Sequence, residues 1–252
     1  MERSWAIVFV VALVALAGCG GIFGDGPWPD DASAHPPGVS PSGLEDASSL
    51  SSAHNESLVD ESYELTVNQE VTFIRDNRNV TTGSARVVTM ADDGEFLVEA
   101  RTHGSETVNE TIWANGSTAY VRTEQDDEVQ YDRRDASRFR SQLSGYSLLY
   151  EYLAAGEFDV TSVDRRDGRT FVTLQANEFS GGGIGTNFQT VQTYEARAVV
   201  DERGQIHELT VHIEGSQSGT PVVVDITLQL DTDGSADVSR PDWVDEARER
   251  NH

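Results

Sequence analysis

The chain has 252 residues, with 43 acidic and 18 basic side chains and a formal net charge of −25 at pH 7. This length is sufficient for one sizeable domain with its own core. The charge argues against nucleic-acid binding, because domains that bind nucleic acids present a basic patch or stripe.

The basic residues are all arginine, and lysine, one of the commonest residues in ordinary proteins, is absent. In dilute buffer a charge of this size destabilises a compact state by self-repulsion, whereas in molar salt the Debye length falls to ~3 Å and screens it. An acidic, lysine-free composition resembles that of proteins from extremely halophilic archaea. High net charge is also a mark of disorder, but here the acids alternate regularly with apolar residues, which favours a folded domain.

An apolar run from Trp5 to Ala17 opens the chain and ends in Leu16-Ala17-Gly18-Cys19. About a dozen apolar residues match a signal-peptide core and fall short of the ~20 that span a bilayer as a helix. The small residues before Cys19, the only cysteine, leave room for a signal peptidase. The motif resembles a bacterial-type lipobox, which implies a signal peptide over 1–18 and a lipid on Cys19 that holds the protein on the outer side of the membrane. The alternative is a short uncleaved anchor with a buried cysteine.

Residues 19–43 predict a flexible tether, because five of the seven prolines fall there between Gly, Ser and Asp. A single domain over 44–252 follows. It opens with a predicted helix over Leu44–Leu58, where apolar residues and His54 recur at spacings of three and four.

From Tyr63 to Arg133 apolar and polar residues alternate, which predicts about six antiparallel strands joined by turns such as Asp92-Asp93-Gly94. The period then changes, and spacings of four and three from Phe139 to Leu153 predict the longest helix of the chain. We expect Asp135 to cap that helix and Gly156 to end it in a left-handed conformation. About five further strands and a short helix after Pro241 complete the pattern.

This order of elements predicts an α+β fold, in which a large curved antiparallel sheet of about 11 strands forms an incomplete β-barrel. The long helix would pack on its concave face. The order resembles the LolA-like lipoprotein fold, shared by the lipoprotein carrier protein and the mycobacterial lipoproteins LppX and LprG, over about Leu44 to Leu230. The resemblance lies in architecture and carries over no site residue. It implies an apolar cavity between helices and sheet that binds or shields a ligand such as a lipid.

The apolar stripe of the predicted long helix and the cleanest strand are the expected walls of this cavity. They comprise Phe139, Leu143, Tyr146, Leu149, Tyr150, Leu153, Val222, Val224, Ile226 and Leu228. The same side chains would also make a filled core, and the protein would then be a structural or interaction module of the cell envelope. An open apolar volume between helix and sheet distinguishes the two functions.

The remaining motifs predict glycans rather than catalysis. Asn79 and Asn115 stand in N-x-Ser/Thr sequons at predicted turns and are candidate glycosylation sites of an exported protein. His207 and His212 are five residues apart, which on a strand directs them to opposite faces and argues against a shared zinc. The sequence shows no nucleophile–base pair, metal cluster or cofactor fingerprint, so we expect a binding protein without a cofactor and not an enzyme.

Overall fold

The computed structural model describes residues 35–76, 78–166, 168–181, 184, 188–234 and 236–250. One antiparallel sheet of 13 strands dominates this part of the chain, and four helices accompany it. The protein is therefore mostly β, with fewer helical residues than the predicted α+β fold implies.

The chain alternates between strands and a few helices in a simple order. The strands are β1 (Val39–Ser40), β2 (Gly43–Leu44), β3 (Tyr63–Arg75), β4 (Arg78–Met90), β5 (Phe96–His103), β6 (Val108–Asn115), β7 (Thr118–Gln125), β8 (Glu128–Asp135), β9 (Gly156–Arg166), β10 (Arg169–Phe179), β11 (Thr190–Asp201), β12 (Ile206–Gln217) and β13 (Thr220–Asp231). The helices are α1 (Ala47–Ser57), α2 (Ser137–Arg140), α3 (Tyr146–Leu153) and α4 (Trp243–Arg250).

Two meanders make the sheet, one from β3 to β8 and the other from β9 to β13. They join through β13 and β3, whose ladder runs from the Val222–Phe73 pair to the Asp231–Glu64 pair. The order of strands is β1-β2-β9-β10-β11-β12-β13-β3-β4-β5-β6-β7-β8, and among the described residues no ladder joins its two ends. The sheet is accordingly open.

The period-two alternation gives the sheet an inner face, which carries the main core, and an outer face. On the inner face, residues that face one another across β3–β7 form a buried row of Leu65, Val88, Val98, Ile112 and Val121. On β13 every second residue from Val222 to Leu230 is buried in the same way. The helices α1 and α3 pack on this inner face, and their buried side chains belong to the same core.

A second, smaller core lies on the outer face. Trp113 and Tyr120 of neighbouring strands pack there against Val244 and Ala247 of α4. Arg248 of α4 extends over the ring of Tyr120, 5.4 Å from its centroid. This end of the sheet is thus covered on both faces.

The predicted long helix over Phe139–Leu153 is wrong, because the chain forms α2 and α3 with a break between them. Gly145 stands at the break with φ +73, a left-handed conformation that interrupts helical hydrogen bonding. Among the described residues the longest helix is α1 with 11 residues, and Gly156 begins β9 instead of ending a helix. Asp135 is the last residue of β8, and its carboxylate accepts a hydrogen bond from the N–H of Ser137.

The sheet also has 13 strands where about 11 were predicted. The two additional strands, β1 and β2, have two residues each and are formed by the predicted end of the tether together with Leu44, the predicted start of the first helix. Gly43 pairs with Asp159, so this segment lies along β9 and extends the sheet at that edge. Strands this short lack the run of alternating residues from which a strand is recognised in a sequence.

Candidate functional site

A cavity of about 460 Å³ opens where the helices meet the end of the sheet, and we call it the rim cavity. The end of α1, the start of β3, the β4–β5 hairpin and the α2–α3 connection enclose it. Its apolar wall consists of Leu58, Tyr63, Met90 and Leu143, all buried except the half-buried Met90. Val59 stands at the opening and is 62% exposed. Asp60, Glu61, Asp92 and Asp93 add carboxylates around it.

One buried histidine fixes the helical wall of the rim cavity. His54 of α1 accepts a hydrogen bond at Nδ1 from the N–H of Ile206, at 3.0 Å. Its Nε2 therefore carries the proton and donates to the carbonyl oxygen of Ser144, also at 3.0 Å. The Ser144 hydroxyl in turn donates to Asn55 at 2.7 Å. Helix α1, the start of α3 and β12 are tied together at this point.

The floor of the rim cavity presents a neutral hydroxyl beside fixed positive charge. Burial raises the pKa of Tyr63 to about 12, although Arg86 and Arg140 act in the opposite direction. Arg140 donates to the carbonyl oxygen of Gly94 at 3.1 Å, and its guanidinium lies 5.6 Å from the centroid of the Phe96 ring. Tyr63 consequently stays protonated and can donate a hydrogen bond at neutral pH.

Farther along the inner face, the row next to the buried row has a different composition. It consists of Val67, Arg86, Ala100, Glu110 and Thr123, all half-buried, and we call it the mixed row. Burial lowers the pKa of Arg86, while Tyr63 and Glu110 raise it. The mixed row marks where the inner face stops being purely apolar.

Most residues predicted to line an apolar cavity are packed into the core. Seven of them are at most 6% exposed in one continuous core, namely Leu143, Leu149, Leu153, Val222, Val224, Ile226 and Leu228. Phe139 is half-buried against that core. Leu143 alone of these eight also lines the rim cavity.

The two remaining predicted cavity residues lie at the surface of α3. Tyr150 is 44% exposed, so its placement on the inward stripe is wrong, and its ring stacks on the half-buried Tyr146 at 6.4 Å. The reason is the break at Gly145, which rotates α3 out of the phase of a continuous helix. The inward positions of α3 are Leu149, Tyr152 and Leu153.

The candidate modification sites are at the surface or outside the described residues. Asn79 is exposed within β4 and not in a turn, whereas Asn115 is exposed at the end of β6 and its amide donates to Glu95. Cys19, with the predicted signal peptide, lies outside the described residues. Within the part of the chain that the structure describes, no helix is sufficiently long and apolar to cross a bilayer.

A buried carboxylate at the β11–β12 turn escaped the sequence analysis. Asp201 is fully buried and accepts the N–H groups of Gln205 at 2.9 Å and Arg203 at 3.0 Å, while His207 Nε2 lies 3.3 Å away. Burial raises the pKa of Asp201, but these hydrogen bonds lower it more. His212 pairs separately with Asp225 at 2.7 Å. No three His, Cys, Asp or Glu side chains among the described residues are arranged to hold a metal ion.

Solved structures with similar architecture have low sequence identity. The chain is similar to the lipoprotein LppX of Mycobacterium tuberculosis, with 10% identity, 75% of this chain and 98% of that chain covered, and a TM-score of 0.29. It is similar to a LolA superfamily protein of Nitrosomonas europaea, with 12% identity, coverage of 79% and 96%, and a TM-score of 0.24. A DUF1329 family protein of Desulfovibrio piger matches with 12% identity, coverage of 78% and 94%, and a TM-score of 0.28. At these TM-scores the likeness transfers no ligand or partner to this chain.

Sequence comparison gives a match that covers nearly the whole chain. No curated protein matches it. The profile of DUF7537, a family of unknown function, matches residues 4–247. This chain therefore belongs to the DUF7537 family.

Proposed function

We propose that this protein is a membrane-anchored extracellular lipoprotein that binds an apolar ligand, such as a lipid, at the rim cavity and catalyses no reaction. The observation that carries the proposal is the rim cavity itself, an opening of about 460 Å³ between helices and sheet. Ligand sites of proteins are clefts of roughly 300 to 1,000 Å³ with apolar walls and a few placed polar groups. Leu58, Met90 and Leu143 supply the apolar wall, and the Tyr63 hydroxyl supplies a polar group.

A variant that fills the rim cavity tests this function. We expect Met90→Trp to weaken binding of a fluorescent lipid analogue at least tenfold, because the larger ring occupies the volume of the ligand, while the thermal unfolding transition stays cooperative. Ile74→Trp is the matched control, since Ile74 is 39% exposed at the far end of β3 and lies outside the wall of the rim cavity. Equal binding by Met90→Trp and the unmodified chain would exclude the rim cavity as the ligand site.

The packed interior favours a second candidate, a structural or interaction module of the envelope. Apart from Leu143, which also lines the rim cavity, the buried predicted cavity residues form a filled core, and such a core leaves no volume for a ligand at those positions. Native mass spectrometry of the protein from its own membranes separates the two functions. A bound lipid supports the binding protein, whereas an unliganded mass together with no uptake of the analogue supports the module.

The proposed membrane anchor is predicted from the lipobox, and substitution of its cysteine tests it. If Cys19 carries the lipid, Cys19→Ser releases the domain into the medium or leaves an unprocessed precursor. Membrane fractionation and the mass of the N-terminal peptide measure both. Normal processing and unchanged membrane attachment of the variant would exclude Cys19 as the anchor.

A further inference from the structure

The inner face of β3–β7 changes character abruptly from one row to the next. The buried row is entirely apolar, whereas the mixed row that follows it brings a cation and an anion onto the same face. The next row is polar apart from Val108, and its other members are Gln69, Ser84, Thr102 and Gln125. The change from apolar to charged residues is confined to the first meander. If the mixed row is continued across β13 and β12, the next residues are Leu228 and Leu209, and both are buried.

Arg86 is the unusual member of the mixed row. It is half-buried, and it makes no hydrogen bond or ion pair with any described residue. Glu110 lies two strands away, and neighbouring strands are about 4.8 Å apart, so the small Ala100 separates the two side chains along the row. A guanidinium taken partly out of water loses hydration, and only a hydrogen-bonded partner of opposite charge compensates that loss well.

Apolar side chains lie beside this cation without a full cover. Val67, Val71 and Phe73 lie along the inner face of β3 and are all half-buried, with the polar Gln69 between Val67 and Val71. An extended hydrocarbon chain along β3 would cover these three apolar side chains, pass over Gln69 and end at Arg86.

We propose that the mixed row binds the anionic head group of an amphiphile, a carboxylate or a phosphate held by Arg86, with the hydrocarbon chain on Val67, Val71 and Phe73. Arginine suits this role because its planar fork of N–H donors binds both kinds of oxyanion in bidentate geometry. The proposal depends on the proposed function for the class of ligand, but its side chains are not among those that line the rim cavity.

Calorimetric titration with three ligands of equal chain length tests the proposal. Dodecanoate and dodecyl phosphate are each added below their micelle concentration, and dodecanol below its solubility limit, to the full chain carrying Cys19→Ser, which lacks the thiol that would be lipidated. We expect Arg86→Gln to weaken binding of the two anions roughly ten- to a hundredfold, because the variant loses a charge-assisted hydrogen bond to the head group. Binding of dodecanol should not change. The control Arg101→Gln removes an exposed arginine from the outer face of β5 and should change none of them.

Glu110→Gln should change the affinity for anions in the direction opposite to Arg86→Gln. A merely structural role of Arg86 would not produce this effect. Removing this carboxylate should strengthen binding of both anions severalfold, because a nearby negative charge no longer repels them. Anion binding unaltered by either variant overturns the proposal while leaving the proposed function standing if dodecanol still binds. If none of the three ligands binds the parent chain, both this proposal and the proposed function fail.

Discussion

His54 shows how a single side chain can connect distant parts of this fold. It bridges α1, the start of α3 and β12 only in its neutral form, with the proton on Nε2. A second proton would have to occupy Nδ1, which faces the N–H of Ile206, so protonation breaks that hydrogen bond. Burial, the largest effect, lowers the pKa of His54 to about 4.

Because of this histidine, the free energy of unfolding should depend on pH between about 6.5 and 4. Its pKa is about 4 in the folded protein against 6.5 for an ordinary histidine, so the unfolded chain binds the proton more readily. We expect the free energy of unfolding to decrease as pH falls from 6.5 towards 4, by about 3 kcal/mol from this group, and to show no further contribution from it below pH 4. Denaturant titrations at several pH values measure the slope.

His54→Gln removes the titrating group and should flatten the curve between pH 4 and 6.5, whatever its effect on stability at neutral pH. His103→Gln is the matched replacement of an exposed histidine on β5 and should retain the slope. A slope preserved in His54→Gln would assign the pH dependence to other groups.

The sequence predicts where residues such as His54 lie in their helix or strand, but it does not predict which residues they contact. The spacing of three and four correctly put His54 on the apolar stripe of a predicted helix. Its partners, however, are 90 and 152 residues away along the chain, and no local pattern contains that information. The same holds for Arg86, since alternation assigns it to the inner face without showing which rows the helices cover.

Among the elements, strands were better predicted than helices for a physical reason. Most strands from β3 to β13 combine a period of two with polar residues at their turns, and the two signals agree. The stripe from Phe139 to Leu153 has a helical period but contains Gly145, which lacks the Cβ that disfavours left-handed backbone. Periodicity alone does not show that the chain turns at this glycine, because the spacing continues on both sides of it.

The contact between α1 and the β11–β12 turn depends on another glycine. Gly204 has φ +87, and a Cβ built there would lie 2.7 Å from the Cβ of Ala53 on α1. We expect Gly204→Ala to cost roughly 2 to 4 kcal/mol of unfolding free energy, from backbone strain and overpacking together. Gly168→Ala, with φ +83 but open space around it, isolates the strain and should cost about 1 kcal/mol. Equal costs in chemical denaturation would show that α1 moves aside freely.

At the scale of the whole molecule, the high net negative charge destabilises the folded state by electrostatic repulsion. The ion pairs among the described residues are mostly exposed, as in the Arg197–Glu208 pair at 3.0 Å, with side chains more than 40% exposed. Exposed pairs contribute little, typically below about 1 kcal/mol each. They do not offset the mutual repulsion that follows from a net charge of −25.

Salt should therefore decide whether the domain is folded. We expect cooperative structure to be lost when molar salt is removed, as the Debye length grows from ~3 Å to ~10 Å or more. Circular dichroism during stepwise dialysis follows the transition, and an uncharged osmolyte at equal osmotic strength controls for hydration. A spectrum unchanged in dilute buffer would mean that the acidic side chains are not destabilising.

The pairing of β13 with β3 has a consequence for the order in which the protein folds. Each meander contains only local hairpins, which form quickly because little chain must be closed into loops. The ladder between the meanders instead joins the first long strand to the last, Tyr63–Arg75 to Thr220–Asp231. A chain synthesised from its N-terminus carries β3 as an unpaired edge until nearly all of the protein has been made. Closure of this single ladder is then the slow step, and until it occurs β3 is the strand most open to pairing with another molecule.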